Sequence, residues 1–299
     1  MNIVKVLITG SNGQVGSCLV KHLQSCPEIE FLAVDRNELN ITSEQDVIKT
    51  VNEFLPTVII NAAAHTAVDK AEDEIELSYA INRDGPKYLA QAAEQVGAAI
   101  LHISTDYVFA GDKQGLYSES DPVNPQGVYG ESKLVGEKAV INACSRHIIL
   151  RTAWVFGENG NNFVKTMLRL AQQRDSLGIV ADQFGGPTYA GDIAAALIKI
   201  AKSITGSKNT FNANNYGIYH FSGMPHVSWC EFAQVIFDKA VEQKALFKSP
   251  DIKGIKTEDY PTPAKRPANS KLNTQKITTV FNIPASDWQS ELDNINDYM

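Results

Sequence analysis

The sequence predicts an α/β fold, a doubly wound parallel sheet with a smaller C-terminal region. Three observations predict it. Short β-branched runs alternate with amphipathic stretches through the first two-thirds of the 299 residues. The runs are continuously apolar rather than alternating, as in strands buried on both faces, so helices must cover both sides of the sheet. After about Phe156 the texture changes: Pro, Asn and Tyr rise and strand candidates become sparse.

The strand candidates, in order, are Val4–Thr9, Phe31–Val34, Thr57–Asn61, Ala99–Ser104 and His147–Arg151. Between the first two, Val15, Leu19, Val20 and Leu23 share one face of a helix. Between the next two, Val47, Ile48, Val51, Phe54 and Leu55 form a second such face. Ser43 supplies its N-cap, with Asp46 three residues on, where a capping box prefers Glu. Repeated βαβ units of this length wind a parallel sheet in both directions from its first strand. Further helices are expected at Asn162–Gln173, Gly191–Ser203 and Ser228–Gln243. Ser249–Ala268, with Pro250, Pro261, Pro263 and Pro267, is expected to be a long ordered loop or a linker. Residues 1–156 are assigned to the sheet domain, with elements of about 190–224 returning to it. Residues 157–189 and 225–299 form the smaller region, whose packing against the strand ends would create a cleft.

A hydrophobic fraction of 43% and a charged fraction of 20% describe a chain able to bury a core. The net charge of -7 argues against a nucleic-acid or anionic-membrane surface. It leaves room for an anionic small ligand, which backbone dipoles can bind on an acidic protein. Cys18, Cys26, Cys144 and Cys230 have no CxxC spacing and no accompanying His cluster, so they are expected to be reduced thiols and no metal site is expected. The apolar run at residues 3–8 is too short for a signal core or a membrane span, which places the chain in the cytoplasm by default.

Gly10-Ser-Asn12-Gly13-Gln14-Val15-Gly16 follows the first strand and opens a helix, the context that gives a glycine string meaning. Gly10 permits a tight turn, Gly13 lets the backbone approach a pyrophosphate, and Gly16 allows close helix–strand packing. The helix N-terminus offers N–H groups and partial positive charge to phosphates. Asp35 ends the second strand 19 residues after Gly16, where an acid can reach adenosine ribose hydroxyls. Arg36, next to it, can instead pair with a 2′-phosphate, so both NADH and NADPH remain open. Ala62, Ala63 and Ala64 end the third strand with residues small enough for a cofactor to lie against the backbone. These features describe a dinucleotide-binding (Rossmann) domain.

Tyr129-Gly-Glu-Ser-Lys133 places a phenol and an ammonium at i and i+4, on one helix face. The ammonium is expected to lower the tyrosine pKa, so that Tyr129 can exchange a proton near neutral pH, and also to hold the nicotinamide ribose. Ser104-Thr105-Asp106 ends the fourth strand, where the Thr105 hydroxyl can hydrogen-bond and polarise a carbonyl.

Three motifs in this order, GxxGxxG, STD and YxxxK, resemble the extended short-chain dehydrogenase/reductase superfamily. Further stretches narrow the resemblance: NAAAHTAVDKAE at Asn61–Glu72, STDYVF at Ser104–Phe109, RTAWVF at Arg151–Phe156, Asn161–Phe163 with the KTMLRLA that follows, DQFGGPT at Asp182–Thr188 and YPTPAKRPANSKL at Tyr260–Leu272. Along almost the whole chain these are similar to the dTDP-4-dehydrorhamnose reductase family. The resemblance implies NADPH- or NADH-dependent reduction of a nucleotide sugar's 4-keto group, with Tyr129 protonating the new alkoxide. It places substrate against Val68, Thr105, Asp106, Tyr107 and Trp154, with Arg266 and Asn269 near the nucleotide end. His65 and Asp69 are expected to order their loop. Some family members dimerise through Mg²⁺ held by glutamates. The matching positions here are Cys18 and the neighbourhood of Gly191-Asp192, so a monomer or weak homodimer without a metal bridge is expected. A 4,6-dehydratase would need a carboxylate where this chain has Tyr107. An epimerase, a reductase of another keto-sugar, or an NADP-binding regulatory subunit without turnover are the other readings.

Overall fold

The computed structural model describes residues 4–206 and 211–299; Ile3, first of the N-terminal apolar run, lies outside them. The first half alternates strand and helix as β1 (Val4–Thr9), α1 (Gln14–Leu23), β2 (Ile29–Val34), α2 (Glu44–Phe54) and β3 (Val58–Asn61). Short helices α3 (Val68–Ala71) and α4 (Ile75–Tyr79) lead through a π-turn into α5 (Gly85–Val96), then β4 (Ala99–Thr105), α6 (Val128–Ala143) and β5 (His147–Thr152).

These strands and a late strand, β10 (Gly217–His220), build one six-stranded sheet in the order β2-β1-β3-β4-β5-β10. Every pairing in it is parallel. The order explains the continuous apolar runs. Val6, Ile8, Val58 and Ile60 point to one face, packed with α1 and with α8 (Ala190–Thr205). Leu7 and Ile59 point to the other, against residues of α2 and α5. Val58, Ile59 and Ile60 are all fully buried, and each such side chain contributes roughly 1.5–3 kcal/mol relative to exposure. Because the chain leaves β1 toward β2 and returns to place β3 on β1's other side, the strand order reverses between β1 and β3. A crevice opens at such a switch point, beyond the strands' C-terminal ends.

The C-terminal region has its own core, where Phe156, Phe232, Phe237 and Trp288 pack together. It contains β6 (Val155–Phe156), α7 (Phe163–Ala171), β7 (Ser176–Val180), β8 (Phe184–Gly185), β9 (Thr188–Tyr189), β11 (Val227–Ser228), α9 (Trp229–Glu242), β12 (Asp251–Ile255), β13 (Asn269–Ser270), α10 (Gln275–Phe281) and α11 (Trp288–Glu291). Ser228 caps α9 reciprocally with Glu231, as a capping box does. α8 packs on α1, and β10 joins the large sheet, so this part of the chain returns to the first half. No described helix is long and apolar enough to cross a membrane.

Two expectations need correction. Ser249–Ala268 is not loop throughout, because β12 runs parallel to β7 from Asp251 to Ile255. Leu55 does not join the buried face of α2. It sits past the helix end in the left-handed region, at φ 50°, and is 58% exposed. The N-cap of that helix is as expected, with Asp46 N–H donating to Ser43 Oγ.

Candidate active site

The glycine turn sits at the switch point. Gly10 has φ +73°, and a Cβ there would lie 2.6 Å from the backbone nitrogen of Ala63 at the end of β3. A Cβ on Gly16 would lie 2.0 Å from Gly10 O, so only glycine lets α1 approach the turn so closely. Gly13 is the N-cap of α1 and no side chain caps the helix, which leaves first-turn N–H groups for a phosphate. Gln14 and Val15 begin that helix, and Gln14 Oε1 accepts from Asn162 Nδ2. Across the turn, Asn12 Nδ2 donates to the Asp35 carboxylate, which also accepts from Asn37 N–H at 2.7 Å. The backbone hydrogen bond from Asn37 is the largest cause of the lowered Asp35 pKa, with desolvation opposing it. Arg36 is exposed beside it, and Ala62–Ala64 line the end of β3. A turn with no room for side chains, an uncapped helix start and an ionised acid at the second strand end together fit a dinucleotide.

The Tyr129–Lys133 pair and Thr105 lie one strand further on. Tyr129 stands in the first turn of α6, buried, with its ring edge against Tyr107 at 5.3 Å between centroids. Thr105 Oγ1 accepts from Tyr107 N–H and donates to Asp106 Oδ1 at 3.0 Å. Lys133, one turn after Tyr129, is buried, and its Nζ donates to Ile103 O at 2.6 Å. The lysine is not what governs the phenol here. Burial pushes the Tyr129 pKa up, with the Thr105 side chain opposing it. The expectation that Lys133 holds it down is therefore not met, because the ammonium is turned to the β4 carbonyl. Burial in turn lowers the Lys133 pKa to about 8, with Glu137 acting in the opposite sense.

Asp106 is fully enclosed, and burial raises its pKa to about 6, with the Ser270 and Thr105 side chains opposing the rise. Its Oδ2 has no partner. A carboxyl whose folded pKa lies above its unfolded value of about 3.9 binds more protons when folded. Its stabilising share is thus complete below about pH 4 and is lost as pH rises through 6. Two pKa units correspond to about 3 kcal/mol. Asp106→Asn is therefore expected to flatten the stability profile between pH 4 and 6 and to be about 1–3 kcal/mol more stable than the parent at pH 7. Urea unfolding at pH 4, 5, 6 and 7 checks this; parallel profiles for the two proteins would reject it.

Tyr107 and Trp154 lead from these groups into a cavity of about 480 Å³, bounded across from them by Phe163, Arg174, Trp229 and Arg266. Trp154, at φ 50°, stacks on Trp229 at 3.5 Å between centroids, and Gly185 leaves room for its indole. Arg266 bonds Asp69 at 2.5 Å and its Nη1 reaches Tyr107 Oη at 3.4 Å. Asp69 also accepts from Ala264 N–H, so it ties the third-strand loop to the C-terminal segment and lines the cavity as well. Val68 opens the same short helix. His65 is held by Ser78 and Glu74. Asn269 is placed otherwise than expected. Its amide donates to Lys113 O and Gly115 O and its Oδ1 accepts from Lys271 N–H, so it anchors a loop and has no donor left to offer a substrate. A larger hollow of about 570 Å³ between α1 and α8 is lined by Lys21, Lys199 and Lys202 and holds none of the acid–base groups.

No motif pointed to Arg174 or Trp229, and Phe163 stood only within the Asn161–Phe163 stretch that carries the resemblance. They come from α7, the turn after it and α9, and no spacing rule links those elements. His102 also escaped notice, although a lone imidazole inside the apolar run AILHIST was a visible signal.

The chain matches the model of the RmlD substrate binding domain over residues 4–299. It is 53% identical to the dTDP-4-dehydrorhamnose reductase of Aggregatibacter actinomycetemcomitans, covering 99% of each chain. Among solved structures, a dTDP-4-dehydrorhamnose reductase from Clostridium acetobutylicum superposes with a TM-score of 0.90 at 40% identity, covering 98% of this chain and 99% of that one. The Bacillus anthracis enzyme of that name, in complex with NADP, superposes with a TM-score of 0.89 at 35% identity over 100% of both chains.

Proposed function

This chain belongs to the RmlD substrate binding domain family, and from that premise we propose that it is an NADPH- or NADH-dependent oxidoreductase that reduces the 4-keto group of dTDP-4-dehydro-L-rhamnose to dTDP-L-rhamnose. The observation that carries the reading is that the end of β4 gathers both residues of the YxxxK pair, Lys133 on Ile103 O and Tyr129 against Tyr107, which itself lines the cavity.

Gly10, Gly13 and Gly16 admit the dinucleotide's phosphates to the α1 N-terminus, while Asp35 and Arg36 meet the adenosine ribose. When bound, the reduced nicotinamide supplies the hydride. The chain supplies the proton. Tyr129, kept as a phenol by its burial, donates to the sugar oxygen as negative charge develops there. Lys133, one turn along the same helix, would hold the nicotinamide ribose. Thr105 polarises the carbonyl after turning its hydroxyl away from Asp106. Tyr107, its phenol pushed up to about 12 by burial, offers no carboxylate base for a dehydration.

Residues 1–156 with about 190–224 bind dinucleotide in this reading, and residues 157–189 and 225–299 bind the nucleotide sugar, with Trp154 and Arg266 lining its cavity and Val68 and the enclosed Asp106 set back from it. We place the protein in the cytoplasm, as a monomer or weak homodimer without a metal bridge or a nucleic-acid partner. Buried Cys18 and an Asp192 carboxylate engaged by Ser286 Oγ support the absence of such a bridge. The test is direct. Addition of dTDP-4-dehydro-L-rhamnose to the protein with NADPH or NADH is expected to oxidise the nicotinamide, read as loss of its near-ultraviolet absorbance. No oxidation with either coenzyme would end the reading.

A further inference from the structure

A buried polar chain runs beneath the active site from strand to strand. Thr9 Oγ1 donates to Asn61 Oδ1 at 2.8 Å, and Ala63 N–H donates to the same oxygen at 3.1 Å. With that oxygen accepting twice, the Asn61 nitrogen faces His102, 3.0 Å from Nδ1. On the other side of the ring, His102 Nε2 lies 3.4 Å from Lys133 Nζ. Thr9, Asn61 and His102 are all buried, so water does not arbitrate between these contacts.

The donor inventory then decides the tautomer. An amide nitrogen only donates, so Nδ1 must accept and a neutral imidazole must carry its proton on Nε2. His102 is neutral, since burial and the neighbouring Lys133 charge hold its pKa far below the usual range. The ring therefore turns an N–H, not a lone pair, toward the lysine nitrogen. A neutral amine accepts that bond; an ammonium is repelled by it.

We propose that His102, held by Asn61 with its proton on Nε2, is a positioning residue for Lys133 that seats Nζ against the Ile103 carbonyl and opposes its protonation. Two other titratable groups flank the lysine on its own helix, of which Glu137 favours its charge. Glu137 lies one turn along its own helix, engaged by Arg151 of β5 and Ser104 of β4, and Tyr129 lies one turn back. Ile103 O takes one of the ammonium's N–H groups and His102 takes none. The remaining N–H groups are left for acceptors on the crevice side, where the phenolate forms. The pKa of about 8 on Lys133 places its loss of charge within the working range of a pH profile. The inference rests on the proposed reductase reading for its catalytic consequence, and on the geometry alone for the tautomer.

Two measurements need no substrate. Long-range ¹H–¹⁵N correlation on the whole protein is expected to show His102 protonated on Nε2, and the ¹³Cε shift of Lys133 should titrate near pH 8. His102→Gln puts a carbonyl oxygen within reach of the ammonium, and Asn61→Asp forces the imidazole proton to Nδ1. Each is expected to move the Lys133 midpoint, and the basic limb of kcat, upward by about one pH unit. The KM for sugar should hold within about twofold. A merely structural role would lower stability or kcat and leave the limb in place. A proton found on Nδ1 in the parent protein, or an unmoved midpoint in both variants, would overturn the proposal. If His102→Gln does not fold, the parent tautomer and Asn61→Asp still decide it. If the parent protein fails to reduce the sugar, the functional reading falls while both spectroscopic tests stand.

Discussion

Tyr129→Phe is expected to lower kcat for the ketosugar by about 10²–10⁴ while leaving dinucleotide affinity within about threefold. The ring is buried and rests edge-on against Tyr107, contacts that phenylalanine keeps, so the substitution removes the proton donor and little packing. Burial raises the phenol's pKa, so at neutral pH the group carries its proton and is set to give it away. A reductase requires that direction, since the alkoxide formed at the sugar must be neutralised before product leaves. Single-turnover oxidation of bound nicotinamide, with separate titration of the coenzyme, separates the step from binding. A variant with undiminished turnover would remove Tyr129 from the mechanism.

The parts of this site that follow from local spacing were legible in the sequence. Tyr129 and Lys133 are one helical turn apart, and Gly10, Gly13 and Gly16 lie within one strand–turn–helix unit, so short-range geometry identifies both sets. β1 was read to the residue, and β3 and β5 to within one residue at an end, because their apolar runs are buried on both faces. β2 begins at Ile29, two residues earlier than expected. Glu30 interrupts the apolar pattern, yet Ile29 pairs with Val4 and is buried, a tertiary constraint that local reading does not see. β12 was missed for the opposite reason. Its residues, DIKGI, are mostly exposed along one edge of a two-stranded pair and have no hydrophobic signature. The expected pKa effect of Lys133 on Tyr129 failed because spacing reports which face two side chains share, not where an ammonium finds its acceptor. His102 and Ile103 on β4 decide that.

Glu137→Ala is expected to cost about 3–5 kcal/mol of folding stability, the largest loss of any substitution argued for this protein. Arg151 binds the Glu137 carboxylate through two bonds, Nε to Oε1 at 2.8 Å and Nη2 to Oε2 at 2.7 Å, and Ser104 Oγ donates to the same carboxylate at 2.5 Å. Both charged side chains are at most 3% exposed. The pair's attraction alone does not set the magnitude, because desolvation offsets most of it. What costs so much is the guanidinium left uncompensated, with Nη1 already lacking a partner and Phe109 as its other neighbour. The double substitution Glu137→Leu with Arg151→Met removes both charges and is expected to recover most of the loss. The same carboxylate supports the charge on Lys133. In Glu137→Ala the basic limb of activity should therefore move to lower pH, opposite to the shift expected for His102→Gln. Urea unfolding of the three variants, with kcat followed against pH, reads both effects. A Glu137→Ala protein destabilised by less than about 1 kcal/mol would mean that Arg151 finds water or another acceptor, and that the pair does not hold α6 to the sheet.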